Sequence, residues 1–199
     1  MHKLIYPNHL ENWNQQKVPV PRSINLGSGK DWRIDCLNID ILPNVYPDMC
    51  LDICTDIAWG LEINTVRFHS FALEKNYFER IIANDVLEHL PNLTKAMRTC
   101  LDILCVGGEF HISVPYDLSY GAWQDPTHVR AFNERSWLYY SDWHWYLGWN
   151  DFKFSVAKLD FVLSDYGQKM QAENLGSDFI IKTPRAVDSM SVTLVKTAI

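Results

Sequence analysis

The chain has 199 residues, 47% of them hydrophobic and 21% charged, a globular composition long enough for one well-buried core and short for two. Its formal net charge of −6 argues against broad phosphate-backbone binding, which needs clustered Lys and Arg, so long nucleic acid is a poor default partner. Five cysteines, Cys36, Cys50, Cys54, Cys100 and Cys105, are odd in number and sit mainly in apolar runs, which suits reduced thiols better than a disulfide frame.

Met1 to Pro7 lacks the apolar run of a signal peptide, and no stretch approaches transmembrane length. A cytoplasmic protein with a single domain over residues 1–199 is expected. Residues 1–20, with Trp13 and the bracket Pro19 and Pro21, read as an N-terminal arm laid over the sheet edge or the mouth of a ligand site. Ile24-Asn25-Leu26-Gly27-Ser28-Gly29-Lys30 then reads as a buried strand ending in a tight turn. Glycine tolerates positive φ there and lets a ligand approach the main chain; an ordinary strand-end turn is the competing reading. A second strand, Cys36-Leu37-Asn38-Ile39, ends on Asp40, and a third, Met49-Cys50-Leu51, ends on Asp52. Carboxylates at strand tips beside a glycine turn are where nucleotide-binding α/β folds hold a ribose diol. Only nine residues separate Leu26 from Cys36, too few for the usual crossover helix, so the first helix is very short or absent.

Ile63, Val66, Phe71 and Leu73 predict a partly helical packing face between Asp52 and Glu79. Phe78 to Asn84 is a fourth buried strand, with Asp85-Val86-Leu87-Glu88-His89-Leu90 just beyond its tip. Asn92 caps a helix whose apolar face is Leu93, Met97, Cys100, Leu101 and Leu104 and which Gly107-Gly108 stops. Phe110, Ile112 and Val114 alternate with polar residues as a fifth strand closed by Pro115, within which His111 reads as a strand histidine hydrogen-bonded inside the fold. Strand, helix and strand recurring in this way imply a mainly parallel sheet flanked by helices. Residues 116–150 are dense in rings, among them Trp123, Trp137, Trp143, Trp145 and Trp149. They read as an aromatic insert or lid, some rings packing on the sheet and some lining an acceptor pocket. Phe152 to Leu163 reads as a long strand, residues 167–184 as a loop or excursion, and Ser191 to Val195 as a final strand.

Taken in order, Asn25-Leu26-Gly27-Ser28-Gly29, Asn38-Ile39-Asp40, Leu51-Asp52-Ile53, Ala83 to Leu90 and Val106 to Pro115 resemble a class I S-adenosylmethionine-dependent methyltransferase. The resemblance covers roughly Ile24 to Pro115. It implies a Rossmann-like α/β fold with a mostly parallel seven-stranded sheet, flanking helices and antiparallel C-terminal strands. Asp125-Pro126-Thr127-His128-Val129-Arg130-Ala131-Phe132 further resembles a subgroup of small methyltransferases associated with surface-polysaccharide gene clusters. That implies O-methylation of a saccharide or nucleotide-sugar. A noncatalytic module that keeps the fold is the alternative, and a nucleic-acid 2′-O-methyltransferase a third reading that the charge disfavours.

By the same resemblance Gly27, Ser28 and Gly29 would line the methionine moiety and Asp40, with Ile41 beside it, would bind the ribose. Asp52 and Ile53 would border the adenine, and Asn84 with Asp85 would flank the methionyl amine and sulfonium. Asn25 stands where the family usually has Glu or Asp, reducing a carboxylate to an amide dipole. For a hydroxyl acceptor the chain must align the substrate and remove its proton. His128 is the candidate base, with Asp125 or Tyr116 to orient it or the substrate and Arg130 to meet a carboxylate or phosphate. The competing reading makes Asp125-Pro126-Thr127 a capping turn that His128 and Arg130 brace. Asp85, Glu88 and His89 fall at i, i+3, i+4 and with His128 would form a Mg²⁺, Mn²⁺ or Zn²⁺ site if that turn is helical. Similar sets occur in ubiquinone-type and small-RNA O-methyltransferases, yet Leu-Glu-His-Leu is also widespread in methyltransferases that use no metal.

Overall fold

The computed structural model describes residues 18–63, 65 and 67–199. Most of the expected N-terminal arm, including Trp13, and the expected helix residue Val66 lie outside these residues. Among them, no helix is long and apolar enough to cross a membrane.

Seven strands form one sheet. In chain order β1 is Ser23–Leu26, β2 Leu37–Asp40 and β3 Met49–Cys50; β4 (Glu62–Ile63) and β5 (Phe71–Ala72) form a separate small hairpin. β6 is Phe78–Asn84, β7 Leu104–Pro115, β8 Phe152–Leu163 and β9 Val187–Ala198. The sheet order β3-β2-β1-β6-β7-β9-β8 is 3-2-1-4-5-7-6 when its strands alone are counted. Parallel pairing runs from β3 to β7, and β9 inserts antiparallel between β7 and β8. Strand order reverses at β1 and β6, which opens a crevice beyond their C-terminal ends.

The helix expected between residues 52 and 79 is replaced by turns and the β4–β5 hairpin, in which Ile63 pairs with Phe71. Leu73 is buried in the core while Ile63 and Phe71 are half-buried, so this stretch packs without a continuous helical stripe. Helix α1 (Leu93–Ile103) starts at Asn92, whose side chain accepts the Lys95 N–H at 3.1 Å, and buries Leu93, Ala96, Met97, Cys100, Leu101 and Ile103. It ends four residues earlier than the glycine pair suggests, because Leu104 already pairs with Phe78 as the first residue of β7. The expected 167–184 excursion begins within α3 (Asp165–Ala172) and contains α4 (Ser177–Ile181), two short helices that follow α2 (Gly121–Gln124) in chain order, and the last strand is longer at both ends than Ser191 to Val195.

No helix joins β1 to β2. Asn38 stitches that connection instead: its Oδ1 accepts the Arg33 N–H and its Nδ2 donates to the Arg33 carbonyl, both at 2.8 Å. Next to it, buried Arg67 pairs with Asp48 and donates to the carbonyls of Ile34 and Cys36, its guanidinium lying between the rings of Trp32 and Phe68. A polar network thus takes over the bracing that a crossover helix supplies elsewhere. In the 116–150 segment, Trp137 is buried and stacked on Phe132 at 5.5 Å, and Tyr140 and Trp149 are buried with it, whereas Trp123, Trp145 and Tyr146 are exposed.

Candidate active site

The turn after β1 holds Gly27 at φ +63° and Gly29 at φ +42°, conformations open to glycine at little cost. At Gly27 an added Cβ would also collide with Val86 Cγ2, so this residue lets the β1 and β6 tips approach each other. The Gly29 N–H donates to Asp40 Oδ2 and the Leu42 N–H to Oδ1, each at 2.8 Å. The Asp40 carboxylate is therefore fixed by two main-chain amides, with lone pairs left on both oxygens. Asp52 is held similarly by the Cys54 N–H at 2.8 Å.

A cavity of about 300 Å³ opens at these tips, lined by Leu26, Gly27, Asp40, Ile41, Leu51, Asp52, Ile53, Asp85, Val86, His89, Leu90 and Pro91. Of the residues expected to meet a cofactor, Gly27, Asp40, Ile41, Asp52, Ile53 and Asp85 lie here. Ser28 is buried beside it with its hydroxyl unpartnered among the described residues, and Gly29 acts through Asp40. Two expectations are corrected. Asn25 spends its amide inside the fold, donating to the Asp31 carbonyl at 2.6 Å and Asn38 Oδ1 at 3.0 Å, so it braces the β1–β2 connection. Asn84 lines a different depression with His111, Ser113, Lys158 and Asp160, because alternation along β6 turns it away from the crevice. There His111 bonds Thr193 Oγ1 at 3.1 Å and is half-exposed on the sheet face.

Beyond β6 the chain does not enter an α-helix. Asp85 adopts φ +52° and only Leu87–His89 make a 3-10 turn, so Asp85 does not share a helix face with Glu88 and His89. The residues that do converge are Glu88, His89 and His128, each offering one ligand atom within 4.8 Å of the others. The Val129 N–H donates to the Glu88 carbonyl at 2.9 Å, which ties the 125–130 loop to this turn. Glu88 is 1% exposed, and neither carboxylate oxygen has a hydrogen-bond partner among the described residues. Burial pushes its carboxyl up to about 7, with Asp85 adding to the effect.

His128 Nδ1 lies 3.1 Å from the Ala122 carbonyl, which only accepts, so this nitrogen carries a proton and the neutral ring has its lone pair on Nε2. Nε2 stands 4.0 Å from Glu88 Oε1. The Thr127 hydroxyl donates to Asp125 Oδ1 at 2.7 Å and lies 2.9 Å from His89 Nδ1. With its one hydrogen committed, Thr127 accepts from His89, so in the neutral ring the lone pair is on Nε2. Asp125 thus orients His89 through Thr127, and hydrogen bonds from Thr127 hold its carboxyl below the ordinary range. It does not orient His128; nor does Tyr116, which is buried and donates its hydroxyl to Glu134 at 2.8 Å. Arg130, expected to face an anionic acceptor, braces the loop by donating to the carbonyls of Leu90 and Pro91 at 2.6 and 3.2 Å. Thr127 and the Ala122 carbonyl are the functional groups the sequence pattern leaves unmarked; Asp-Pro-Thr signalled a turn, and only its docking against His89 gives the threonine a part in the site.

No protein-family model matches the sequence, and no curated protein sequence matches it. Among solved structures, an S-adenosylmethionine-dependent methyltransferase from Mesorhizobium loti is 14% identical with a TM-score of 0.54, the match covering 94% of this chain and 95% of that one. One from Archaeoglobus fulgidus is 15% identical with a TM-score of 0.55, over 94% and 89% of the two chains. The [4+2]-cyclase SpnF is as similar, 14% identical with a TM-score of 0.55, over 94% and 80%. The chain has the fold of the S-adenosylmethionine-dependent methyltransferases. A cyclase among the neighbours means that the chemistry must be argued from the site.

Proposed function

We propose that this protein transfers a methyl group from S-adenosylmethionine to a hydroxyl of a small polar acceptor, a saccharide or nucleotide-sugar. The observation that carries the reading is the crevice at the reversal of strand order, with an apolar wall and three carboxylates, Asp40, Asp52 and Asp85. Its residues fit the cofactor. Leu26, Ile41, Leu51, Ile53 and Leu90 offer apolar surface to an adenine, and Asp40 has lone pairs for a ribose diol. The negative lining suits a ligand that carries a sulfonium and an ammonium. When bound, the cofactor supplies an activated methyl group, so the chain's own task is alignment and acceptance of a proton.

The Glu88, His89 and His128 cluster adjoins the crevice, since His89 belongs to both. His128, whose neutral ring has its lone pair on Nε2 facing Glu88, is the base. The acceptor binds over α2, where Trp123, 66% exposed, directly follows the carbonyl that holds His128. A flat exposed ring buries the apolar face of a sugar while its hydroxyls stay wet.

Calorimetric titration with S-adenosylmethionine and S-adenosylhomocysteine tests the cofactor assignment. Saturable binding is expected, and Asp40→Ala should weaken it at least about tenfold, since a hydrogen bond to a charged group contributes about 1.5–3 kcal/mol. No binding to wild type would leave the noncatalytic reading. An acceptor screen then begins with sugars and nucleotide-sugars, read as S-adenosylhomocysteine release.

A further inference from the structure

The geometry points to a divalent transition-metal site formed by Glu88, His89 and His128, taking an ion of the Zn²⁺ or Co²⁺ type in preference to Mg²⁺. Three independent features converge there. The ligand atoms of the three side chains already lie within 4.8 Å of one another, and His128 Nε2 is 4.0 Å from Glu88 Oε1. First-row ions hold nitrogen and oxygen ligands at about 2.0–2.2 Å, which spaces ligand atoms by about 3–4 Å, so the site closes on an ion with about 1 Å of side-chain movement. The second feature is the Glu88 carboxylate, 1% exposed and without a partner on either oxygen among the described residues. An isolated carboxylate in that position is costly, and a cation is the partner that offsets the cost.

The third is the protonation pattern. Each imidazole has its Nδ1 fixed by an acceptor, Ala122 O for His128 and Thr127 Oγ1 for His89, with Asp125 behind the threonine. Both Nε2 atoms are thereby left as metal-ligand lone pairs, and carboxylate or carbonyl groups behind ligating histidines are the usual outer support of such sites. Two imidazoles and one carboxylate select a borderline ion, because Mg²⁺ takes oxygen ligands and keeps its water. Asp85, with its left-handed backbone, is outside the set. Three protein ligands leave coordination positions open, and His89 also lines the crevice. On the methyltransferase reading, an ion held there would take up the lone pair that makes His128 the base of the metal-free protein; it would instead lower the pKa of an acceptor hydroxyl at an open position, whose proton would then pass to solvent water.

Metal binding is measured on chelator-treated full-length protein by titration with Zn²⁺ and, for its absorption spectrum, Co²⁺, in the absence of cofactor. One ion per chain is expected, with a Co²⁺ spectrum altered by nitrogen ligation and Mg²⁺ unable to compete at equal concentration. Glu88→Gln, a neutral isostere, and His89→Gln should lose saturable binding. Thr127→Val should weaken it roughly 10- to 100-fold, and Asp85→Asn should leave it within about threefold. Cooperative thermal melting of each metal-free variant shows that it is folded; should the histidine variant fail to fold, Glu88→Gln decides. Stoichiometric binding by wild type that Glu88→Gln and Thr127→Val reduce supports the site. No binding, binding unchanged in Glu88→Gln, or equal competition by Mg²⁺ overturns it. Because cofactor titration is separate, the metal site and the methyltransferase reading fail independently.

Discussion

Single residues at the strand tips set the shape of the crevice. Gly27 is constrained twice, by φ +63° and by Val86 Cγ2, which occupies the space a methyl group on its Cα would need. Gly27→Ala should therefore destabilise the protein by roughly 1–3 kcal/mol in urea denaturation. Pairing the substitution with Val86→Ala should recover only the steric part. Arg67 presents a different case, a fully buried cation whose removal strands Asp48 in the interior. Arg67→Ala is expected to cost about 3–5 kcal/mol, read from the same urea curves. Gly27 was legible in the sequence because glycines in a strand-end turn announce their backbone. The partnership of Arg67 was not, since residues 48 and 67 meet only once β2 and the hairpin are in place.

Among the elements, α1 is fastened to the start of β8 by Arg98, which grips both carboxylate oxygens of Asp151 at 2.9 Å. Those bonds hold the Asp151 carboxyl well below the usual carboxylate range. A depressed carboxyl contributes stability above its unfolded pKa of about 3.9, and that contribution is lost as pH falls through the lower folded value. Asp151→Asn should consequently flatten the fall in urea midpoint between pH 5 and pH 2 relative to wild type. The element pattern itself was readable where apolar periodicity was strong: the 3.6-residue repeat of α1 and the alternation of β7 name their buried faces. It failed between residues 52 and 79, where sparse apolar residues serve a hairpin as well as a helix. It also placed Asp85 on a helix that its own positive φ prevents.

For the molecule as a whole, a ligand that binds only the folded state raises its stability through mass action. Cofactor at about 100 times its dissociation constant should add about 2.7 kcal/mol, which for a chain of this size shifts the melting temperature by roughly 5–10 °C. Thermal melting with and without S-adenosylhomocysteine checks this, and no shift at saturating concentration would count against the crevice as its site. The molecule is built with little helical padding on the β1–β3 side. There the Asn25, Asn38, Asp48 and Arg67 network is the brace, so damage to it should loosen the very strands whose tips carry Asp40 and Asp52.

The sequence by itself determined the strand tips, the glycine turn, the acidic residues at the ends of β2 and β3, and the order in which they occur. These are local signals, written in hydrophobic periodicity and in residues with special backbone preferences. The tertiary structure alone decided which side each polar group faces and what it touches. It turned Asn25 into a brace and Asn84 toward another face, gave Arg130 to main-chain carbonyls, and brought His128 against Glu88 and His89 across about 40 residues of chain. Such contacts depend on how distant segments dock on the sheet, and no short-range pattern encodes that distance.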